Sequence, residues 1–335
     1  MATIKEIANL ANVSSTTVSR VLNCDESFSV SKETRNKILS IAKELGYQTL
    51  IERHYQKQKI FYRFGLIYNP MIFRDFIDSD YYFSIRKGIE HLSLKYNIEL
   101  VNNLVTAHEK TAELQGVIIL GNYSKNVIDN FLEDIETKNV VIIGNCPDDN
   151  KFDSVWFHTR KAVLQGLEYL QKLGHQTIGY IGAKEHLEIP EEDRREFIYK
   201  RHMERNGGFD SSIVYIGEPG EKSGYELMKK AIQSNKIPPA FFIANDPIAI
   251  GALKALNEEK LKVPKDISIV SLDGHPFTAL TNPPLTTIQV PTEFMGATAI
   301  ELLLERIEKE RKIAKKVIVP TQLVKRDSCR NLSKS

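Results

Sequence analysis

Cysteine is scarce in this chain of 335 residues: Cys24, Cys146 and Cys329 are odd in number and widely spaced. A disulfide framework and a CxxC metal site are both excluded on that spacing. Long apolar runs are missing too, since none approaches the ~20 residues that cross a bilayer. The opening MATIKEIANLANVSS lacks the basic stretch and apolar core of a signal peptide, so a cytoplasmic protein with no membrane partner is expected. No GxGxxG follows the first apolar strand, and neither GxxxxGK[ST] nor GxSxG occurs. Without a phosphate loop or a nucleophile elbow, neither an enzyme nor a bound cofactor is expected. His175, in LGHQ, precedes a strand in a turn and reads as structural.

Net charge is also small, +2, but unevenly placed: residues 1–60 hold nine Lys/Arg against six Asp/Glu. That excess fits polyanion binding and a solvated face equally well, so local pattern must decide. The chain is otherwise ordinary, 42% apolar and 26% charged, and its length suggests roughly two or three domains.

Thr3 and Glu6 sit three apart, as a capping box requires, so a helix should start at Ile4. Ile4, Ile7, Ala8 and Ala11 then recur at helical spacing until Asn12-Val13-Ser14 breaks the run. Ser14 can cap a second helix, Ser15 to about Leu22, and a third runs from Ser31 to Gly46. Val18, Val21 and Leu22 share the inner face of the second helix, leaving Ser15, Thr16, Ser19 and Arg20 outside. Short hydroxyls let a helix approach base edges, and an arginine can make a bidentate contact to guanine. Any three-helix bundle with a solvated polar face would share that pattern.

From Phe64 onward, short apolar runs alternate with amphipathic helices, which favours parallel sheets built from βαβ units. Strands are expected at FGLIYN, GVIILGN, VVIIGN, TIGYIG, IVYIGE, AFFIAND and SIVSLDG, and helices at Tyr82–Tyr96, Thr159–Leu173, Lys222–Ser234 and Ile248–Glu259. The strand ends carry Asn69, Asn122, Asn145, Asn245 with Asp246, and Asp273. Open α/β folds bind ligands at those ends, although any one such residue also suits a turn or a helix cap.

TIKEIANLANVSSTTVSRVLN and VSKETRNKILSIAKELGY closely resemble the headpiece of the lactose/galactose repressor family of bacterial regulators. LGHQTIGYIG, IANDPIAIGALKAL and NPPLTTIQV extend the resemblance over essentially the whole chain. It implies a small all-α helix-turn-helix headpiece plus an α/β body of two Rossmann-like subdomains, like that of periplasmic sugar-binding proteins. The implied boundaries are 1–46 for the headpiece, 47–60 for a hinge linker, 61–158 with 292–311 for one subdomain, and 159–289 with 315–328 for the other. By the same resemblance Ser15, Thr16 and Arg20 read bases, while Thr3, Ser19, Asn23 and Tyr47 hold sugar-phosphate. Arg195 in DRREFIYK, Asn245 and Asp273 correspond to sugar-contacting positions, and Tyr81 and Tyr82 to aromatics that line the cleft, where core packing is the alternative. Asn145 stands where the family often has Asp, so its role follows from position only.

The implied function is repression of a sugar operon through a palindromic operator, relieved by a small sugar bound between the subdomains. SDYYFSIRKGIEHL, DRREF and SGYELMKKA resemble repressors of the evolved β-galactosidase operon and of Gram-positive galactose operons, which points to a galactoside-type effector. A transport solute-binding protein is the competing class, and the headpiece argues against it. A homodimer is expected, because only Asp327 to Ser335 follow the strand-like KKVIVPTQLVKR, with no apolar heptads. The hinge departs from the family: Thr49 and Leu50 replace Pro-Asn, and Gln56 stands in place of the leucine that wedges into DNA. Arg53 and Lys57 remain spaced to reach phosphates from one helix face.

Overall fold

The computed structural model describes residues 3–22, 30–45, 47, 62–68, 79–102, 114–184, 190–191, 194–234 and 236–334. These fall into two compact units, residues 1–61 and 62–335.

In the first unit the capping box forms. The Thr3 N–H donates to Glu6 Oε2 at 2.7 Å while the Glu6 N–H donates to Thr3 Oγ1 at 3.3 Å, starting α1 (Ile4–Ala11). Asn12 adopts a left-handed conformation, φ 57°, that ends the helix. Ser14 then caps α2 (Ser15–Leu22), its Oγ accepting from the Thr17 N–H at 3.0 Å, and Ser31 does the same for α3 (Lys32–Glu44) through Thr34 at 3.1 Å. Ile7, Ala8, Ala11, Val18, Val21, Ile38 and Ala42 close a small core of their own.

The second unit holds two six-stranded sheets. In the first, the order is β11 (Lys316–Val319), β5 (Asp153–Phe157), β4 (Val140–Ile143), β3 (Gly116–Leu120), β1 (Tyr62–Tyr68) and β2 (Ile98–Asn102), all parallel. In the second it is β12 (Gln322–Val324), β10 (Thr286–Gln289), β9 (Ser268–Asp273), β8 (Ala240–Ile243), β6 (Gly179–Ala183) and β7 (Val214–Gly217), with only β12 antiparallel. GVIIL, VVII and AFFI are buried from end to end, as strands covered on both faces must be.

The covering helices are α4 (Ser79–Lys95), α5 (Lys125–Leu132) and α10 (Thr292–Glu308) with the first sheet, and α6 (Thr159–Lys172), α7 (Arg195–Arg205), α8 (Glu221–Gln233) and α9 (Asp246–Glu258) with the second. Two helix pairs cross at glycine. A Cβ on Gly88 of α4 would collide with the Glu293 carbonyl of α10, and one on Gly296 of α10 with the Ile85 carbonyl of α4. Gly224 of α8 and Gly251 of α9 face Ile248 and Glu221 in the same reciprocal way.

The chain crosses between the sheets three times: from β5 to α6, from β10 to α10, and from β11 to β12. One expected boundary is corrected here. Residues 315–328 do not all join the second subdomain, because Lys316–Val319 pairs with Ser154–Phe157 of β5 in the first sheet. The buried Asp153 carboxylate fixes this edge, accepting from the Lys315 N–H at 2.7 Å and from Arg311 Nη1 at 2.9 Å. Among the described residues no helix is long and apolar enough to cross a membrane.

Candidate functional site

On the first unit, α2 turns Val18 and Val21 into the core, while Ser15, Thr16 and Arg20 are exposed and Ser19 is half-buried. Tyr47 packs half-buried against the same core. Thr3 is exposed, but its hydroxyl already donates to Glu6 Oε2 at 3.2 Å, so a phosphate there would compete with the helix cap. Asn23 and Arg53, like the hinge beyond Tyr47, lie outside the described residues.

On the second unit, the strand order of each sheet reverses beside its first strand, at β1 and at β6, which opens a crevice at the carboxyl ends of the strands. Four of the expected residues meet there. The Tyr81 hydroxyl, on the first turn of α4, is buried without a hydrogen-bond partner. Burial is the main cause holding it well above the usual phenol range; the Asp273 carboxylate and Tyr82 push the same way, and the Arg195 guanidinium opposes them. Tyr81 and Tyr82 stand edge to face with centroids 5.3 Å apart. Tyr81 comes from one subdomain, whereas Arg195 and Asp273 come from the other. Asp273, the last residue of β9, has φ 125°, a conformation that L side chains rarely adopt.

Asn245 is half-buried and caps α9, its Oδ1 accepting the Ile248 N–H at 2.9 Å, so the amide N–H₂ remains the group to offer a ligand. Asn145 is half-buried after β4, and its backbone N–H donates to Asn122 Oδ1 at 2.7 Å. Asn69 lies outside the described residues. His175 is buried with Nε2 3.2 Å from the Arg330 carbonyl, in keeping with a structural role.

Three residues join the site beyond the expected ligand contacts: Asp246, marked in the sequence only as a strand-end residue, and Asp80 and His275, which sequence reasoning did not select. Asp246 is fully buried behind Asn245. Its Oδ1 accepts from Ser271 Oγ at 2.5 Å and Thr287 Oγ1 at 2.7 Å, and its Oδ2 from the His275 N–H at 2.7 Å. Burial raises this carboxyl to about 6 even against those donors. His275 Nε2 in turn lies 2.7 Å from Asp80 Oδ2 on α4. Asp246 was legible with Asn245 at the end of its apolar strand; Asp80 and His275 belong to different subdomains and left no local pattern.

A crevice lined by tyrosine, arginine, amide and carboxylate, in a chain that also carries an exposed helix-turn-helix, defines a ligand-responsive DNA-binding regulator. Residues 3–49 match the family described as bacterial regulatory proteins, lacI family, and residues 167–329 match the periplasmic binding protein-like domain. The HTH-type transcriptional repressor MelR of Bacillus subtilis (strain 168) is 40% identical, covering 98% of both chains. The HTH-type transcriptional regulator GalR of Streptococcus thermophilus is 34% identical over 98% of this chain and 99% of its own. Among solved structures, the lac repressor dimer bound to operator and the anti-inducer ONPF matches with TM-score 0.69 at 23% identity, over 98% of this chain and 99% of that one. The chain belongs to the lacI family of bacterial regulatory proteins. It is a DNA-binding, sugar-responsive transcription repressor and not an enzyme.

Proposed function

We propose that this repressor controls a sugar-utilisation operon of galactose or β-galactoside type, and that the sugar bound in the crevice releases it from DNA. The meeting of Tyr81 from one subdomain with Arg195 and Asp273 from the other carries the reading, since one ligand there touches both halves. Planar carboxylate, amide and guanidinium groups suit vicinal hydroxyls, and the tyrosine faces suit the C–H side of a sugar ring. Asn69, Tyr82, Asn145 and Asn245 complete the proposed contacts. The relatives named GalR, from Streptococcus thermophilus and Lacticaseibacillus casei, and the neighbour titled as a CelR–cellobiose complex support a sugar effector.

On the headpiece, Ser15, Thr16 and Arg20 are assigned to base edges, and Thr3, Ser19, Asn23, Tyr47 and Arg53 to the sugar-phosphate backbone. Two copies related by a two-fold axis then match a palindromic operator. Sugar and DNA are linked by one coupling free energy, so each weakens the other's binding by the same factor. A thermal-shift screen of galactose, galactosides, glucosides and sugar phosphates tests the class, because a ligand of the folded state raises its melting temperature. Stabilisation by galactosides, with loss of operator binding at the same concentrations, is the expected result. Stabilisation only by another sugar class overturns the galactoside assignment.

A further inference from the structure

The first turn of α4 and the loop after β9 belong to different sheets, and they meet where His275 Nε2 lies 2.7 Å from Asp80 Oδ2. His275 is buried, 6% exposed, and is held from behind at three points. Its backbone N–H donates to Asp246 Oδ2 at 2.7 Å, its Nδ1 accepts the Phe277 N–H at 3.1 Å, and its ring stacks on Phe277 with centroids 4.6 Å apart. With Nδ1 occupied as an acceptor, the neutral ring carries its proton on Nε2, on the side of the Asp80 carboxylate. The pair is short but lacks the alignment of a full hydrogen bond. A small rotation of one subdomain therefore strengthens or breaks it, because charge-assisted contacts are steep in geometry. Its neighbours are the proposed ligand contacts: Asp80 precedes Tyr81, His275 follows Asp273 across Gly274, and Asp246 follows Asn245.

The geometry points to Asp80 and His275 as positioning residues that fasten the two subdomains across the crevice and convert ligand occupancy into their relative angle. The conversion rests on the reading of the crevice as the effector site; the fastening does not. Pulling on Asp273 or Asn245 moves the loop and helix start that hold His275, and through it the first turn of α4.

The test uses the full chain with Asp80→Asn, His275→Ala, His275→Gln and the Asp80→Asn/His275→Ala double variant. Amide hydrogen exchange is read with and without D-galactose, alongside operator affinity. Asp80→Asn should speed exchange across residues 274–279 on the opposite subdomain by about tenfold, and His275→Ala should do the same across 81–87. The double variant should go no further than either single one. His275→Gln, whose amide nitrogen reaches the Nε2 position, should stay near wild type. Should D-galactose weaken operator binding by the wild type, both single variants should lose most of that response. Single variants that leave the opposite subdomain unchanged overturn the fastening. A His275→Gln variant as impaired as His275→Ala overturns the donor role. A wild type indifferent to galactose that still shows the cross-subdomain effect refutes the galactose reading alone and upholds the fastening.

Discussion

Arg20 is exposed on α2 beside Ser15 and Thr16, so truncating it removes no part of the headpiece core. Arg20→Ala should cost roughly 1–3 kcal/mol of operator preference over random DNA at matched salt. Competition binding checks this, and folding by circular dichroism should be unchanged. Asp246 is the opposite kind of residue, buried and holding two hydroxyls and a backbone N–H. Asp246→Ala strands those donors and should lower unfolding stability by roughly 3 kcal/mol in urea. Asp246→Asn should lower it less, because the Ser271 and Thr287 hydroxyls can turn to accept from the new amide while its oxygen keeps the His275 N–H. Asn245 and Asp273 were legible in the sequence because they end apolar strands that have few alternatives. Asp80 and His275 were not, because their meeting depends on how the second sheet is set against the first, which no local spacing encodes.

At the scale of elements, the crossing of α8 with α9 leaves no room for a side chain at Gly224 or Gly251. Gly251→Ala gains helix propensity but forces two backbones apart, and the steric term wins at roughly 1–3 kcal/mol. A lowered thermal midpoint checks the sign, with Gly207→Ala as a poor control because Gly207 has φ 71° despite open space around it. Strands buried on both faces were readable as unbroken apolar runs, GVIIL and VVII among them. β2, β5 and β10 were missed for identifiable reasons. IELVN lies at a sheet edge and is buried only at Ile98, so it offers no unbroken apolar run. DSVWF opens on a carboxylate that is buried only because Arg306 and Arg311 come to it from the end of α10 and beyond. TTIQ buries two threonines whose hydroxyls serve Asp246 and the Arg326 backbone.

For the whole molecule, pH is a sharp probe. Burial is the main cause that lowers His175, His202 and His275 from the ordinary 6.5; Asp80 and Glu168 resist it at His275 and His202. The folded chain thus binds fewer protons than the unfolded one just below 6.5, and stability falls as pH drops through that value. Asp246, raised to about 6, works the other way: between 3.8 and 6 the folded state binds more protons, so its contribution grows with acid. Among the described residues the three histidines act alone above the range of Asp246, so the urea midpoint should be lower at about pH 6.2 than at about pH 7.5. His275→Gln should flatten that slope, and an unchanged slope would remove His275 from the account.

The three crossings between the sheets have a mechanical consequence. Two plates joined by one thread turn about any axis, but three short ties suppress separation and leave bending and twisting. On the proposed reading of the crevice as the effector site, a ligand there is read as an angle. Its chemistry decides only whether it enters, while the stiffness of the ties decides how much angle each unit of binding free energy produces. Substitutions among the crevice residues should change which sugar is heard; substitutions at Phe157–Thr159, Gln289–Thr292 or Val319–Gln322 should change the volume for every sugar alike.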